Sequence, residues 1–257
     1  MGLARGPRKT RRLGAQQDRR HIIITRPLGE RRPFVAVAAV LSVVLTIGAS
    51  ILLPAAFAFD LQAIAHPGSI ADKGPGVAQL LRWGALLDMV SYLPFAVLVV
   101  YFHYRLRARN QELVALLSAC GLAYVLIGSI AGALLASAGP PLVVGYASAS
   151  VEGREAARVA LEALGNASLV GLWGTLELIF LGFWFLGIGS LLRSEWRRFA
   201  TLSIVIGLAM LAASARTGLT GQTLVEINGP IDLVIAAPLG LLFVWELWLA
   251  ARLWRGT

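Results

Sequence analysis

The chain alternates between long, unbroken apolar runs and short polar segments. Six runs reach or approach the length of a membrane span, at about 34–59, 83–104, 113–137, 168–192, 199–215 and 231–253. About 20 apolar residues in a helix cross the hydrocarbon core of a bilayer. Because polar and apolar residues do not alternate within these runs, the runs predict helices rather than the strands of a barrel. We therefore expect an all-α polytopic membrane protein, a bundle of six transmembrane helices over residues 34–253.

The segments between the runs carry turn-forming residues. Residues 60–82 contain a His-Pro-Gly sequence at 66–68, and residues 138–167 open with Gly-Pro-Pro at 139–141. Both segments are predicted to be linkers. Within the second, residues 151–164 place small apolar side chains at helical spacing among charged ones. This spacing predicts an amphipathic helix that covers the bundle or lies on lipid.

The first run shares features with an export signal, because twin arginines at 31–32 precede it and small residues follow it. The apolar region of a signal peptide is about 7–15 residues long. The uncharged stretch at 34–59 has 26 residues. We therefore expect a retained first span.

The composition agrees with a membrane protein, since 57% of the residues are apolar and only 14% are charged. A soluble domain has about 45–50% apolar and about 25% charged residues. The composition therefore excludes a soluble enzyme and a disordered protein. Cys120 is the single cysteine, so the chain has neither a disulfide framework nor a thiolate metal site.

Residues 1–33 form a basic arm, with nine Arg and one Lys against two acidic residues. Basic residues next to a membrane are attracted to anionic lipid headgroups by about 1 kcal/mol each. No aromatic residue is interleaved with them, which disfavours nucleic acid as a partner. The lipid bilayer is the expected partner, and a membrane-protein partner or a homo-oligomer remains open. The residues assigned to headgroup binding are Arg5, Arg8, Lys9, Arg11, Arg12, Arg19 and Arg20.

Lys and Arg residues are divided unevenly between the two sides that six spans define. Eighteen lie on the side of the arm and five on the other side. Cytoplasmic segments of membrane proteins carry the excess of Lys and Arg. We therefore expect both termini in the cytoplasm of a bacterial cell, with the bundle in the inner membrane and residues 254–257 as a cytoplasmic tail.

Apart from Asp232 at the edge of the last run, three carboxyl side chains fall inside the predicted spans: Asp88, Glu177 and Glu246. An ionised group in hydrocarbon costs several kcal/mol unless it is paired or hydrated, so such residues are candidates for function. Structural pairing between helices is one interpretation, and ligand binding or proton coupling is the other. Further ligand or ion-pair candidates expected in the spans or at their ends are Arg82, Arg216, Asp232, Tyr124 and Ser129.

Asp88 and Glu177 are both expected on the inside of the bundle. The basic residues Arg82 and Arg216 lie at the outer ends of their predicted spans, closer in depth to Asp88 than to Glu177. We therefore expect Asp88 to be the ion-paired carboxylate, and Glu177 to be neutral or in contact with water.

The chain lacks the sequence signatures of common catalytic sites. Its three histidines, His21, His66 and His103, fall in the arm, in an outer linker and at an inner helix end. Nucleophile-elbow, phosphate-loop and zinc-protease motifs are absent from the sequence. We therefore predict no catalytic residues, no metal and no cofactor, which disfavours an enzyme.

Three short motifs suggest a family. They are Leu-Arg-Trp-Gly-Ala-Leu-Leu-Asp at 81–88, Phe-Leu-Gly-Phe-Trp-Phe-Leu-Gly at 180–187 and Trp-Arg-Arg-Phe at 196–199. Together they resemble the bacterial six-span membrane proteins of the domain of unknown function 4386 family, over about 34–253. The resemblance implies the six-span fold and makes Arg82 and Asp88 family-like positions. It implies no activity, and the arginine-rich arm is not a feature of that family.

The hypothesis for function is a non-enzymatic membrane protein that binds a small or lipidic ligand, or a partner subunit, through a cavity in the outer half of the bundle. The alternative is a small-molecule or proton-coupled transporter that uses the intramembrane carboxylates. Broken helices or internal repeats would favour the transporter.

The predicted topology can be tested by cysteine labelling. We expect Ser69→Cys to react with a membrane-impermeant reagent from outside the cell and Ser194→Cys to react only from inside, because the positive charge places residue 194 in the cytoplasm. Labelling of residue 194 from outside would contradict the orientation.

Overall fold

The computed structural model describes residues 32–222 and 230–256, and the side chains of these residues other than 61–62 and 230–239. The described part is helical and contains no strand, which confirms the all-α class. Five helical stretches are long and apolar enough to cross a membrane. They are α1 (Pro33–Ala56), α3 (Val77–Leu106), α4 (Gln111–Ser148), the continuous stretch Val151–Leu192 and α7 (Arg197–Thr220).

The remaining elements are shorter pieces and a last long helix. Helix α2 (Leu61–Ala65) and a 3-10 turn (Pro67–Lys73) lie between α1 and α3. The stretch Val151–Leu192 divides without a break into α5 (Val151–Gly165), a π-helical segment (Asn166–Glu177) and α6 (Leu178–Leu192). Helix α8 (Pro230–Arg255) has 26 residues and ends the described chain. Residues 1–31 of the basic arm, with all of the assigned headgroup residues, lie outside the described residues.

Local sequence explains several helix ends. Pro33 occupies the first turn of α1, where its missing N–H removes no helical hydrogen bond. The side chains of Asn110 and Ser150 accept hydrogen bonds from backbone N–H groups three residues later, at 3.0 and 3.2 Å, and so begin α4 and α5. Gly221 ends α7 with a φ of 68°, a conformation that glycine adopts without strain.

The linker predicted at 138–167 is wrong. Helix α4 continues through Pro140 and Pro141 to Ser148, and only residues 149–150 separate it from α5. Proline removes a helical hydrogen bond, but membrane helices tolerate it where neighbouring groups compensate. The amphipathic helix expected at 151–164 is present as α5, although it runs directly into the next span. Helix α3 likewise begins at Val77, six residues before the predicted start of the second span.

One end of the bundle is covered by a cap, which consists of residues 57–76 and α5. The backbone N–H of Gly68 donates to a carboxylate oxygen of Glu162 at 2.7 Å, which ties the 3-10 turn to α5. The hydroxyl of Tyr146 donates to Asp72 at 2.8 Å and ties the same turn to α4. Gly165 packs against Pro67 so closely that a Cβ there would overlap the ring. The amphipathic α5 therefore covers the bundle, one of the two arrangements that its pattern allowed.

The opposite end, here called the arginine end, comprises the loops 107–110 and 193–196 and the last turn of α8. The guanidinium groups of Arg105 and Arg252 lie over the ring of Trp196, at 4.2 and 4.4 Å from its centroid. Glu195 forms salt bridges with Arg105 and Arg109. These contacts join α3, α8 and the loop before α7 at one surface.

Five aromatic side chains fill the bundle on the side of the arginine end. They form an aromatic plug, in which neighbouring ring centroids are 4.8–5.9 Å apart and every ring is buried. Offset and edge-to-face pairs at this spacing are favourable beyond the area that they bury. The plug consists of Phe102, Trp184, Phe185, Phe199 and Trp245.

Small residues allow the helices to approach closely on the side of the cap. A Cβ on Gly132 of α4 would lie 2.9 Å from the carbonyl oxygen of Ala85 on α3. A Cβ on Gly128, one turn earlier, would overlap the ring of Tyr92. The small-residue face that the sequence shows on the third span is therefore the contact between α3 and α4.

We expect Gly128→Ala to lower the free energy of unfolding by about 1–3 kcal/mol, because the added methyl group overlaps the ring of Tyr92 and displaces it from its place beside Glu177. The matched control is Gly145→Ala in the same helix, where a Cβ meets no atom within 4 Å. That variant is expected to be neutral or to gain up to about 1 kcal/mol from helix propensity. Thermal unfolding in lipid nanodiscs measures both, and equal losses would contradict the close contact.

Candidate functional site

A cavity of about 260 Å³ lies in the middle of the bundle, between the cap and the aromatic plug. We call it the chamber. Its described walls come from α1, α3, α4, the end of the π-helical segment, α6, α7 and α8. The lining residues are Thr46, Ser50, Asp88, Ser91, Tyr92, Tyr124, Glu177, Leu178, Leu181, Met210, Gly240, Leu242 and Phe243. The structure therefore brings two of the three predicted intramembrane carboxyl groups, Asp88 and Glu177, to one cavity.

Glu177 is held by a tyrosine from another helix. The hydroxyl of Tyr92 donates to Glu177 Oε2 at 2.9 Å, and the Glu177 residue is only 8% exposed. The ring of Tyr92 rests on Gly128, whose backbone carbonyl accepts a hydrogen bond from the Trp173 indole at 3.2 Å. The ring of Tyr124 meets that of Tyr92 edge-on, at 5.2 Å between centroids. Tyr92 is therefore fixed on several sides, and Glu177 with it.

Asp88 is not ion-paired within the described part of the chain, so the expected pair is wrong. Its Oδ2 atom is buried and has no hydrogen-bond partner there. Arg82 lies six residues earlier on α3, about 1.7 turns away, and therefore on a different face of the helix. Arg216 donates to the side-chain oxygen of Gln222 at 3.3 Å, near the cap end of α7. Helix α3 begins at Val77, so Asp88 lies about 16 Å along the helix from its first residue. This is deeper in the bundle than the predicted span, which began at residue 83, placed it.

The chain approaches Glu177 through a π-helical segment of 12 residues, Asn166–Glu177. The hydroxyl of Thr175 donates to the carbonyl of Val170, five residues earlier, at 2.8 Å. The hydroxyl of Ser214 on α7 donates to the Thr175 carbonyl at 2.9 Å. π-Helical turns are rare and are frequently found at functional sites. Here the segment changes the winding just before Glu177, and so decides which way that residue points.

The remaining predicted candidates have separate positions. Tyr124 lines the chamber with the two carboxyl groups. Ser129 donates to the Met89 carbonyl at 3.5 Å and ties α4 to α3. Glu246 lies one turn beyond the chamber wall on α8, is 2% exposed, and accepts a hydrogen bond from Ser42 at 3.0 Å. The side chain of Asp232 lies outside the described residues.

Two functional features of the site escaped the sequence analysis. The first is the set of α1 hydroxyls, Ser42, Thr46 and Ser50, whose regular spacing of four residues is visible in the sequence. The second is the π-helical segment, for which the sequence carries no signal that we recognise.

The chamber opens sideways, between α1 and α8. Two of its lining residues there, Ser50 and Gly240, are exposed. Towards the arginine end the chamber is closed by Phe95, Leu181 and the aromatic plug behind them, all of them buried.

The walls offer acidic and hydroxyl groups but no Lys, Arg or His side chain among the described residues. The described chain also contains no cluster of three His, Cys, Asp or Glu side chains that could hold a metal ion. Comparisons of the chain with protein families, with curated proteins and with solved structures find no match.

We expect Tyr92→Phe to lower the free energy of unfolding by about 1–3 kcal/mol, because it leaves a buried carboxyl oxygen without its donor. The variant keeps the ring and its contact with Tyr124. Tyr104→Phe is the matched control, since Tyr104 lies on the same helix and is 63% exposed. Unfolding in nanodiscs measures both variants. If the two substitutions lower the free energy of unfolding by the same small amount, the folded protein does not contain the hydrogen bond between Tyr92 and Glu177.

Proposed function

We propose that the chain is a six-span protein of a bacterial inner membrane, with α8 as the sixth span and both termini in the cytoplasm. The 26 residues of α8 are long enough to cross a membrane, since a helix of that length covers about 39 Å. The uneven division of Lys and Arg supports the orientation, which makes the arginine end cytoplasmic and the cap external. The contact of the arm with anionic lipid and the resemblance to the domain of unknown function 4386 family belong to the same proposal.

We propose further that the chamber binds a small organic cation, such as an amine or a guanidinium compound, without transforming it. The observation that carries this proposal is two carboxyl groups, Asp88 and Glu177, in a membrane-embedded cavity without a basic side chain among its described walls. A buried carboxyl group that is ionised needs a counter-charge, and a bound cation supplies one. The rings of Tyr92 and Tyr124 add faces that attract cations.

The size of the chamber sets the size of the ligand. Sites for drug-sized ligands have about 300–1,000 Å³. A volume of about 260 Å³ therefore suits a compound of a few heavy atoms rather than a lipid or a peptide. The hydroxyls of Thr46, Ser50 and Ser91 stand around the carboxyl groups and can accept hydrogen bonds from ammonium N–H groups.

A transporter is the second candidate, and one observation favours it. The chamber lies deep in the bundle, is open on one side and is closed towards the arginine end by the aromatic plug. Alternating access requires a closed layer of this kind that a second conformation opens. A carrier would move the same class of cation that the chamber binds.

Binding is tested with the purified protein in nanodiscs, by calorimetry and thermal unfolding, using methylammonium and guanidinium as probes. A ligand at about 100 times its Kd stabilises the folded state by about 2.7 kcal/mol. We expect this stabilisation for the two cations and not for acetamide or acetate, which have similar size. Asp88→Asn and Glu177→Gln keep the shape of the chamber and should abolish it.

The matched control is Glu152→Gln, which neutralises an exposed carboxyl group on α5, outside the chamber. It should bind the probes as the parent protein does. Equal stabilisation of the parent, Asp88→Asn and Glu177→Gln proteins would reject the chamber as a cation site. So would a Glu177→Leu protein that is as stable as the parent and binds the probes equally well.

A further inference from the structure

Glu246 is a carboxyl group inside the bundle but outside the chamber. It is 2% exposed, and the hydroxyl of Ser42 on α1 donates to its Oε1 at 3.0 Å. No Lys, Arg or His side chain in the described chain forms an ion pair with it. Its position one turn beyond Leu242, a lining residue, leaves it out of reach of a ligand in the chamber.

The helices packed against Glu246 bring no opposite charge to it. Helix α8 packs on α1 and α7. On the α7 side, the hydroxyl of Ser203 accepts the indole N–H of the neighbouring Trp245 at 2.8 Å. Tyr124 on α4 is close enough to interact electrostatically with both Glu246 and Glu177.

The charged groups at the arginine end are engaged elsewhere. Arg105 and Arg252 lie over Trp196, and Arg105 and Arg109 pair with Glu195. Between that end and Glu246, α8 presents the buried apolar residues Leu249, Ala250 and Leu253. Glu246 is therefore closed off from the arginine end.

A stripe of hydroxyls leads from Glu246 to the chamber. Ser42, Thr46 and Ser50 are the only side chains of α1 that can form hydrogen bonds, and they follow one another at intervals of four residues. Residues four apart lie on one face of a helix. Ser42 contacts Glu246, whereas Thr46 and Ser50 line the chamber. In an apolar helix, this placement of its three polar residues joins two sites that would otherwise be separate.

The stripe needs water to carry a proton. Successive hydroxyls lie about 6 Å apart along the helix, which is longer than a hydrogen bond of about 2.8 Å. The chamber has about 260 Å³, and a water molecule takes about 30 Å³ of liquid volume. Several waters can therefore stand in the chamber beside Thr46 and Ser50. Ser42 does not line the chamber, so the step from Thr46 to Ser42 requires one water held between these two hydroxyls.

We propose that Glu246 is a proton-exchanging site, which takes its proton from the water of the chamber through Thr46 and Ser42. The protonated Glu246 carboxyl passes its proton to the Ser42 oxygen as Ser42 passes its own hydroxyl proton to the water beside Thr46, which leaves a carboxylate and a hydronium ion. The reverse steps, begun by a hydronium ion of the chamber, protonate Glu246 again, so one proton has been exchanged for another. Because the apolar residues beyond Glu246 close the path, it is a blind branch and not a channel across the membrane.

The test is hydrogen–deuterium exchange of the Glu246 carboxyl, followed by infrared spectroscopy of the full chain in nanodiscs without added ligand. The carbonyl band of the protonated acid is assigned by its loss in Glu246→Gln. In the parent protein we expect this band to shift rapidly on transfer to D₂O. Thr46→Val, which keeps the shape of the side chain, and Ser42→Ala should each slow the shift several-fold.

Ser203→Ala is the matched control, since it removes another buried hydroxyl next to α8 that lies off the stripe. It should leave the exchange unchanged. Thr46→Val retains the bond between Ser42 and Glu246, so it separates loss of the path from loss of that bond. The proposal is overturned if no pH reveals a band that Glu246→Gln removes, or if Thr46→Val and Ser42→Ala exchange as fast as the parent. Neither result depends on cation binding in the chamber.

Discussion

The burial of three carboxyl groups in an apolar bundle is the constraint on which the rest of the structure depends. In hydrocarbon, an ionised carboxylate facing lipid costs several kcal/mol. Asp88, Glu177 and Glu246 therefore turn inward, and other helices supply what partners they have. Those partners are hydroxyls rather than cations, so the groups are fixed in place without being neutralised by an opposite charge. The result is a cavity whose carboxyl groups have no basic partner among the described residues.

The interior of the bundle divides into two layers with different chemistry. The chamber occupies the layer towards the cap and is walled by carboxyl groups, tyrosines and hydroxyls. The aromatic plug occupies the layer towards the arginine end, in which Trp245 donates to Ser203 and Ser42 donates to Glu246. Dense ring packing excludes water from the second layer, whereas the first leaves room for it. This division closes the chamber towards the arginine end.

Backbone features on two helices set the geometry of the chamber. On α4, Gly128 leaves space for the ring of Tyr92, which is how that hydroxyl reaches Glu177. Before α6, the π-helical segment turns Glu177 towards the same ring. Neither feature contributes a ligand-binding group of its own. They act by position, and a change at Gly128 therefore alters the chamber without touching a carboxyl group.

The sequence by itself determined the helical class, the apolar stretches and the three carboxyl groups that must turn inward, because each follows from the cost of polar groups in hydrocarbon. The predicted ends of the helices were less accurate, since α4 passes through Pro140 and Pro141, where turn residues indicated a linker. The prediction of an ion pair for Asp88 was wrong, because the rotation and depth of the helices decide whether Arg82 or Arg216 reaches it. Only the tertiary structure brought Asp88, Glu177 and the α1 hydroxyls together. Contacts between distant segments depend on how whole helices pack, and the local pattern does not encode that packing.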